Sequence, residues 1–291
     1  MQALQIVISG LAQGCIYGLI ALGLVLIYKT TETVSFAHGE LMMLGAFTGF
    51  ALMTLLGWPF WLALAATIAV MTLFGIGLER VVIRPILGQP AFSLVMLTIG
   101  VGYVARGLVT MIPGIGTETH TLPVPYKDQT WNLGGLVLNV EQMAVIFATA
   151  VLSALLYAMF RYTKVGIAMQ ASSQNQLAAY YMGIPVQRLT GLVWGLAAAV
   201  AAIAGLLLAP ITFVYANMGF IGLKAMPAAV VGGFGSLPGA IVGGLVIGCV
   251  ESFAGFYLPE GFKDVAAYVV VLVMLMVKPN GLFGEKLRKK V

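Results

Sequence analysis

The sequence predicts an all-α, polytopic membrane protein of about eight transmembrane helices, folded as one domain over residues 1–291. Its composition is the first reason, because 60% of the residues are hydrophobic and 9% are charged, whereas a soluble domain has about 25% charged residues. The second reason is that the apolar residues form segments close to the roughly 20 residues that cross a bilayer. The third is a polar stretch between two such segments, too long for a simple connection.

The predicted spans follow one another along the whole chain. The first lacks a basic n-region and is longer than the apolar part of a signal peptide, so we interpret it as a span. The last is short and borrows Phe262 and its neighbours. The spans are Ala3–Tyr28, Leu41–Gly57, Trp58–Leu78, Ala91–Ile112, Gln142–Phe160, Leu189–Ala209, Pro238–Tyr257 and Val265–Val277.

The basic residues predict the orientation in the membrane. Of 15 Lys and Arg residues, most fall on one side of the predicted spans, and such an excess marks the cytoplasmic side. We therefore expect a prokaryotic inner-membrane protein with its N-terminus outside and its C-terminus in the cytoplasm. The cytoplasmic group is Lys29, Arg80, Arg84, Arg161, Lys164, Arg188, Lys278, Lys286, Arg288, Lys289 and Lys290; the outer group is Lys127, Lys224 and Lys263.

Residues 161–188 form the long polar stretch, on the cytoplasmic side. They contain a run of good helix formers that ends at Gly183 and Pro185, which stop a helix. The pattern predicts one helix, Ala168–Tyr181, that lies along the membrane face and docks on a soluble partner. A helix resting on lipid is the alternative, but it would carry Lys or Arg on its polar face. The predicted docking residues are Ala171, Ser172, Ala178, Ala179, Tyr180, Met182 and Gly183.

Residues 225–240 predict a broken, re-entrant helix. The flanking spans both end outside, so Ala225–Phe234 must dip into the membrane and return, and ten residues cover only about 15 Å. The sequence G-G-F-G-S-L-P-G, Gly232–Gly239, predicts a buried turn. Broken helices occur where the backbone is buried in protein or lines a wet cavity, so this element indicates a translocation path.

Few polar side chains interrupt the spans. His38 and Glu40 are two residues apart and do not share a helix face, and no third ligand accompanies them, so a metal site or an intramembrane protease is disfavoured. With Ser35 they are expected at a break before the second span. Arg106 and Glu251 are charged residues inside spans. They either pair, joining the fourth and seventh spans, or face a substrate.

The chain lacks the Walker A pattern G-x-x-x-x-G-K-[ST]. We therefore expect a transport subunit that is not itself an enzyme and binds no cofactor. If ATP drives transport, another polypeptide hydrolyses it. Glycines repeat at four-residue spacing, as in Gly10, Gly14 and Gly18 and again in Gly244 and Gly248, which predicts close packing between helices.

Three stretches resemble the permease subunits of branched-chain amino acid ABC importers of the LivH type. Val34–Ala46 is similar to that family's pattern near its second span, with Ser35 where Asn is usual. Thr163–Ile184 is similar to the cytoplasmic coupling segment, with Gln174 and Asn175 where an acidic residue is common. Ala228–Ala240 is similar to the late glycine-rich element. They occur in the family's order, and the resemblance covers nearly the whole chain.

The resemblance implies a complex with a second, LivM-like permease, two cytosolic ATPase subunits that use ATP and Mg, and an external substrate-binding protein. Membrane lipid is a further expected partner, and nucleic acid is not. Polar residues near the predicted breaks are the candidates for the translocation path: Ser35, His38, Glu40, Asn217 and Ser236. The expected substrates are branched-chain amino acids. Urea, short amides and aromatic acids remain alternatives, as does an ion-coupled secondary carrier, which would not need Thr163–Ile184.

Overall fold

The computed structural model describes residues 2–133, 136–259 and 261–284, and these residues form helices around one long central helix. The helices, numbered in chain order, are α1 Gln2–Thr31, α2 His38–Phe50, α3 Phe60–Leu78, α4 Ala91–Thr110, α5 Val140–Tyr162, α6 Lys164–Gln174, α7 Gln176–Tyr181, α8 Val186–Thr212, α9 Gly219–Gly232, α10 Leu237–Tyr257 and α11 Phe262–Val277. Two short antiparallel strands, β1 Thr130–Leu133 and β2 Leu136–Asn139, lie before α5 with Thr130 opposite Asn139.

Four further segments complete the helical parts. A π-helical segment, Ala51–Leu55, extends α2, and a second one, Glu79–Ile83, extends α3. The chain makes 3₁₀ turns at Arg84–Ile86 and Ala216–Met218. The described part of the chain is thus an all-α membrane fold with one small strand pair, as the sequence predicts.

Six helices within the described residues are long and apolar enough to cross a membrane. They correspond to α1, α3 with its extension, α4, α5, α8 and α10. The other two predicted spans correspond to shorter helices, since α2 has 13 residues before its five-residue π-helical extension and α11 has 16. The protein is therefore a multi-pass membrane protein whose helices differ in length.

The buried core is formed by α1 and α8, whereas α3, α4 and α5 expose most of their apolar surface. A Cβ atom at Gly14 would lie 2.7 Å from the Cα atom of Leu245 in α10, and one at Gly10 would lie 3.0 Å from the Cα atom of Cys249. The backbones of α1 and α10 thus touch where the glycines repeat. Small residues permit this approach, and it is the packing that their spacing predicts.

A non-helical segment precedes α2, at the depth of the membrane helices. Residues 32–37 are not helical, and Glu32 has a φ of 53°. The ring of His38 then lies against Gly23, which is about 12 Å from the end of α1 at 1.5 Å per residue. The α2 helix therefore begins well inside the bundle, at the break expected there.

The α9 helix also begins inside the bundle. After the end of α8, Val214 and His120 form two backbone hydrogen bonds of 2.9 and 2.8 Å. The chain then continues to Gly219. The helix starts at Gly219 rather than at Ala225, so the predicted start is wrong by six residues. This earlier start is not evident from the sequence, because G-F-I-G-L-K contains two glycines and a lysine. Packing against neighbouring helices makes this segment helical.

The turn after α9 differs in detail from the buried turn expected over Gly232–Gly239. The non-helical part is short, residues 233–236, and it joins α9 to α10. Gly233 has a φ of 97°, and Ser236 Oγ accepts a hydrogen bond of 3.1 Å from the N–H of Gly239. Gly235 is exposed, and a Cβ atom there would meet nothing within 4 Å. Close contact with neighbouring backbone therefore requires glycine at positions 232, 233 and 239, but position 235 has room for a side chain.

The segment that follows α11 covers the C-terminal end of α9. Leu282 and Phe283 donate backbone hydrogen bonds of 2.8 and 3.1 Å to the carbonyls of Val231 and Gly232. These carbonyls are among those that a helix end leaves unpaired. The expected cytoplasmic tail beyond this point, Lys286 to Lys290, lies outside the described residues.

Candidate functional site

Two helix beginnings meet in the middle of the bundle. Gly39, in the first turn of α2, touches the backbone of Gly219 and Gly222 in the first turn of α9, and a side chain at Gly39 would collide with the Gly219 carbonyl. The α2 helix enters this region after the C-terminal end of α1, and α9 enters it after the C-terminal end of α8. Their partially positive ends therefore lie side by side.

A buried ion pair lies at this meeting point. Arg106 Nη2 in α4 donates a hydrogen bond to Glu40 Oε1 in α2. Its guanidinium group also stacks over the ring of Phe220, 3.9 Å from the ring centre. Glu40 is 7% exposed, and a Cβ atom at Gly219 would lie 2.5 Å from its Oε2. Glycine at position 219 thus leaves room for the carboxylate.

Of the two alternatives for Arg106 and Glu251, pairing with each other is excluded, because each has another partner. Glu251 lies between α1 and α10, where its Oε2 accepts a hydrogen bond of 2.7 Å from the Tyr17 hydroxyl. Gln13 donates to the same hydroxyl over 2.9 Å. The α4 helix packs on the start of α2 instead, so Arg106 reaches Glu40. The pairing depends on which helices become neighbours, and residue spacing along the chain does not reveal which helices these are.

The other four predicted path residues lie in different places. His38 points to α1, away from Glu40, as expected from their spacing. Ser35 is buried in the break before α2, and Asn217 is exposed in the turn before α9. Ser236 lies at the inner end of α10, in the wall of a separate cavity of about 530 Å³ with Lys29 and Arg161. Only Glu40 therefore joins Arg106 in one cluster.

The break before α2 is held by α4. The backbone N–H of Phe36 donates a hydrogen bond of 3.2 Å to Thr98 Oγ1, and Thr98 in turn donates to the carbonyl of Val95. A threonine hydroxyl that donates to a carbonyl one turn earlier in its own helix is an ordinary feature of a membrane helix. Here it satisfies a backbone donor of the broken segment, as irregular backbone at this depth requires.

Two ion pairs were not anticipated from the sequence. Glu79 is fully buried and accepts two hydrogen bonds from Arg84, of 3.1 and 2.7 Å, while Arg84 also donates to the carbonyl of Gln187. The signal was present, since an acidic residue directly follows an apolar run and a basic residue follows five positions later. Lys224 was assigned to the outer side, but it lies within α9 and pairs with Asp264 of α11.

The polar segment predicted on the cytoplasmic side forms two helices, not the single helix expected over Ala168–Tyr181. The α6 helix ends at Gln174, and Asn175 adopts an extended conformation with φ −158° and ψ 102°. Its Oδ1 then accepts a hydrogen bond of 2.9 Å from the N–H of Ala178 and caps α7. Asn is a preferred residue at this position of a helix. The helix stop is where it was expected, with Gly183 at a φ of 82°.

The residues expected to dock on a partner divide by burial. Ser172 and Ala179 are buried within the chain, as is Met169, so they cannot make the direct contacts expected of them. Ala171 is half-buried. The others are exposed, and with their neighbours they form an apolar and aromatic surface, which we call the coupling surface: Leu177, Ala178, Tyr180, Tyr181, Met182 and Gly183.

A family model and several curated relatives match this sequence over nearly its whole length. Residues 6–278 match the family model described as the permease component of branched-chain amino acid transport systems. The chain is 33% identical to the high-affinity branched-chain amino acid transport system permease protein LivH of Escherichia coli, covering 99% of this chain and 97% of that protein. It is 30% identical to BraD, a permease protein of the same description from Pseudomonas aeruginosa, covering 99% and 98%.

More distant similarity extends to an archaeal protein and to a solved structure. The chain is 28% identical to the probable branched-chain amino acid transport permease protein LivH of Methanocaldococcus jannaschii, covering 93% of this chain and 89% of that protein. A chain of PsaBC from Streptococcus pneumoniae, solved in complex with Fab, has a TM-score of 0.52 at 13% identity and covers 94% of this chain and 92% of that chain. That likeness concerns the fold alone. By the family model and the full-length relatives, this chain belongs to the permease family of branched-chain amino acid transport systems.

Proposed function

We propose that this chain is a transmembrane permease subunit of an ATP-driven ABC importer and carries branched-chain amino acids across the inner membrane. One observation carries this proposal: relatives with that description are 30–33% identical over 97% or more of their own length. No large domain is added or lost between them and this chain. An ion-coupled secondary carrier is not favoured, because the same relatives are permease components and the chain keeps the cytoplasmic segment.

A second, LivM-like permease is proposed to cover the face formed by α4 and α9. Tyr103 and Phe220 are exposed there, on either side of the cavity that contains Glu40 and Arg106. Charged groups within a membrane almost always face protein or water, since hydrocarbon solvates them poorly. A face with such an opening is therefore poorly suited to lipid, and it suits a translocation path shared between two permeases.

The coupling surface is proposed to dock on one of two cytosolic ATPase subunits, which use ATP and Mg. Tyr181 and Met182 are 78% and 83% exposed at the end of α7, and apolar surface of this kind outside the membrane favours a protein partner. The N-terminus is proposed to lie outside, where an external binding protein delivers the substrate, and the C-terminus in the cytoplasm. The chain itself is proposed to bind no cofactor.

The function is tested by reconstitution. The permease would be purified with its partner permease and ATPases, placed in proteoliposomes and supplied with the binding protein and labelled leucine. We expect leucine uptake that needs ATP and Mg and is unchanged when proton and sodium gradients are collapsed. Uptake that follows an ion gradient and proceeds without ATP would contradict the proposal. Parallel assays with urea, a short amide and phenylalanine establish the substrate class.

A further inference from the structure

A small cavity lies where α2, α4 and α9 meet. Its volume is about 200 Å³, the space of roughly seven water molecules in the liquid. Glu40 and Arg106 form its polar part, and Tyr103 and Phe220 flank its opening. The rest of the wall is apolar or small, and consists of Phe36, Ile99, Gly102, Gly219 and Leu223. Such a cavity accommodates a single small molecule with one polar end and one apolar end.

The polar part of the cavity is incompletely paired. Within the described residues, Glu40 Oε2 and Arg106 Nε are buried and have no hydrogen-bond partner. Buried polar atoms are nearly always paired in folded proteins, and an ion pair kept only for packing would have its remaining atoms satisfied. These two atoms belong to the same ion pair, and both of their residues line the cavity. The pair therefore retains one acceptor and one donor for a molecule that enters.

The surrounding charge favours an additional carboxylate. The beginnings of α2 and α9 each contribute about half a positive charge, and Arg106 contributes one more against the single negative charge of Glu40. The total is about one positive charge. The Arg106 guanidinium is also held in place over the Phe220 ring, so its orientation does not depend on the incoming group.

We propose that this cavity is a binding subsite for a zwitterionic α-amino acid on its way across the membrane. The ammonium group of the amino acid donates to the free Oε2 of Glu40. Its carboxylate accepts from Arg106, beside the start of α9. The aliphatic side chain lies against Phe36, Ile99 and Leu223. The proposal rests on the proposed function, and it adds the residues that recognise the substrate and its orientation.

This arrangement explains why both charged ends are required. Glu40 alone would accept any amine, and Arg106 with two helix beginnings would accept any carboxylate. A molecule that carries both groups on one carbon satisfies both unpaired atoms at once. An aliphatic amine or a fatty acid of the same length leaves one of them unpaired in a buried place, which costs more than the contact gains.

The test uses the assembled transporter in lipid nanodiscs without its binding protein, so that contact with the permease is measured directly. An Ile99→Cys variant, with Cys15 and Cys249 replaced by Ser, places a thiol in the cavity wall. We expect leucine to slow the reaction of this thiol with a small water-soluble reagent by about tenfold or more. Isocaproate lacks the ammonium group and isoamylamine lacks the carboxylate, so neither is expected to protect at the same concentration. Trp131→Cys, on the exposed strand β1, is the matched control; it should react and should not be protected.

Substitution of the charged groups supplies the second arm. Glu40→Gln keeps the size of the side chain and should weaken protection by leucine about tenfold or more, the loss expected for one charge-assisted hydrogen bond. Glu251→Gln, which changes the carboxylate between α1 and α10, should leave protection unchanged. Equal protection by isocaproate, unchanged protection in Glu40→Gln, or no protection by leucine at all would each overturn the proposal.

The two levels of proposal fail in different ways. If leucine uptake is ATP-dependent but leucine does not protect the cavity thiol, the subsite is wrong and the proposed function stands. If the wild-type complex takes up no leucine, the proposed function itself fails. Where Glu40→Gln does not assemble, the comparison of leucine with its two analogues still decides the proposal, since it uses no substitution of a charged residue.

Discussion

At the scale of single residues, this protein depends on polar groups whose partners come from distant parts of the chain. Tyr17 and Glu251 are 234 positions apart, and Glu40 and Arg106 are 66 apart. Each carboxylate is held by one donor from another helix. In a bilayer these contacts matter because no water replaces a lost partner. Glycines contribute differently, because the absence of a side chain lets neighbouring helix backbones come into contact.

Removal of the Tyr17 hydroxyl should destabilise the bundle. In Tyr17→Phe, Glu251 loses the donor that lies 2.7 Å away, and we expect a loss of about 1–3 kcal/mol, the cost of an unpaired buried group. The measurement is the thermal midpoint of the detergent-purified protein. Tyr268→Phe, on an exposed position of α11, is the control. The double variant Tyr17→Phe with Glu251→Gln should be less affected than the two single changes combined, and strict additivity would contradict the pairing.

The α1–α10 contact should not tolerate a side chain at Gly14. In Gly14→Leu the Cβ atom alone would lie 2.7 Å from the Cα atom of Leu245, so the two helices must separate. We expect a loss of about 1–3 kcal/mol, as for overpacked cores, measured as a lower thermal midpoint. Gly100→Ala is the matched control, because a Cβ atom there meets nothing within 4 Å, and it should be neutral or slightly stabilising. Equal stability of both variants would exclude the close contact.

At the scale of elements, two kinds of break give this fold its functional parts. The first kind interrupts the membrane helices, where α2 and α9 begin inside the bundle. The second kind interrupts the polar segment between α5 and α8, where Asn175 ends α6 and caps α7. The Asn175 side chain thus pairs a backbone group that a helix start leaves unpaired, whereas the starts of α2 and α9 have no side-chain cap. The α7 helix has six residues, so its position depends on packing by Ala179 and on the hydrogen bond of 2.6 Å from Gln176 to the carbonyl of Thr30.

The coupling surface should bind the ATPase through its exposed side chains. In the double variant Tyr181→Ala with Met182→Ala, we expect about tenfold or greater weakening of ATPase binding, since buried aromatic contacts dominate such interfaces. The measurement is the amount of ATPase that co-purifies with the permease, together with leucine uptake. Leu155→Ala, on the exposed membrane face of α5, is the control.

The outcome of that experiment is informative in both directions. Normal co-purification and normal uptake in the double variant would exclude the coupling surface as the docking site. A substitution at Ala179 would not provide the same information. Its side chain is buried within the chain, so a larger residue there disturbs the permease itself before any partner is involved.

At the scale of the whole molecule, the apolar surface is distributed unevenly. The α1 and α8 helices are enclosed, and α3, α4 and α5 present their apolar residues outwards. This distribution suits a subunit surrounded by lipid on some sides and by a second permease on another. The basic residues expected on the cytoplasmic side that fall within the described residues include Lys29, Arg161 and Lys278.

The orientation can be measured with single cysteines. In a background without Cys15 and Cys249, Trp131→Cys places a thiol on the exposed strand β1, and Tyr181→Cys places one on the coupling surface. We expect a membrane-impermeant thiol reagent to label Trp131→Cys in intact cells, because the excess of basic residues marks the other side as cytoplasmic. Tyr181→Cys should react only after the membrane is permeabilised. The reverse pattern would show the opposite orientation.

Much of the site was predictable only as a set of candidates. The sequence placed a break near Ser35, His38 and Glu40, and it identified Arg106 and Glu251 as charges inside spans. It left open whether these two charges pair, because a pattern along one helix reports the faces of that helix and not its neighbours. The short helix α9 was underestimated for a similar reason, since its first residues have weak helix propensity and are helical through contacts with α2 and α10.

The sequence by itself determined that this is an all-α membrane protein of the permease family, with a long polar segment between two spans and a glycine-rich break. Composition, apolar length and glycine spacing are local properties, and the bilayer imposes the same rules on every segment. Only the tertiary structure decided that α2 and α9 begin side by side, that Arg106 meets Glu40, and that Ala179 is buried while Tyr181 is exposed. The physical reason is that these contacts depend on which helices become neighbours, and distant residues determine that jointly through packing.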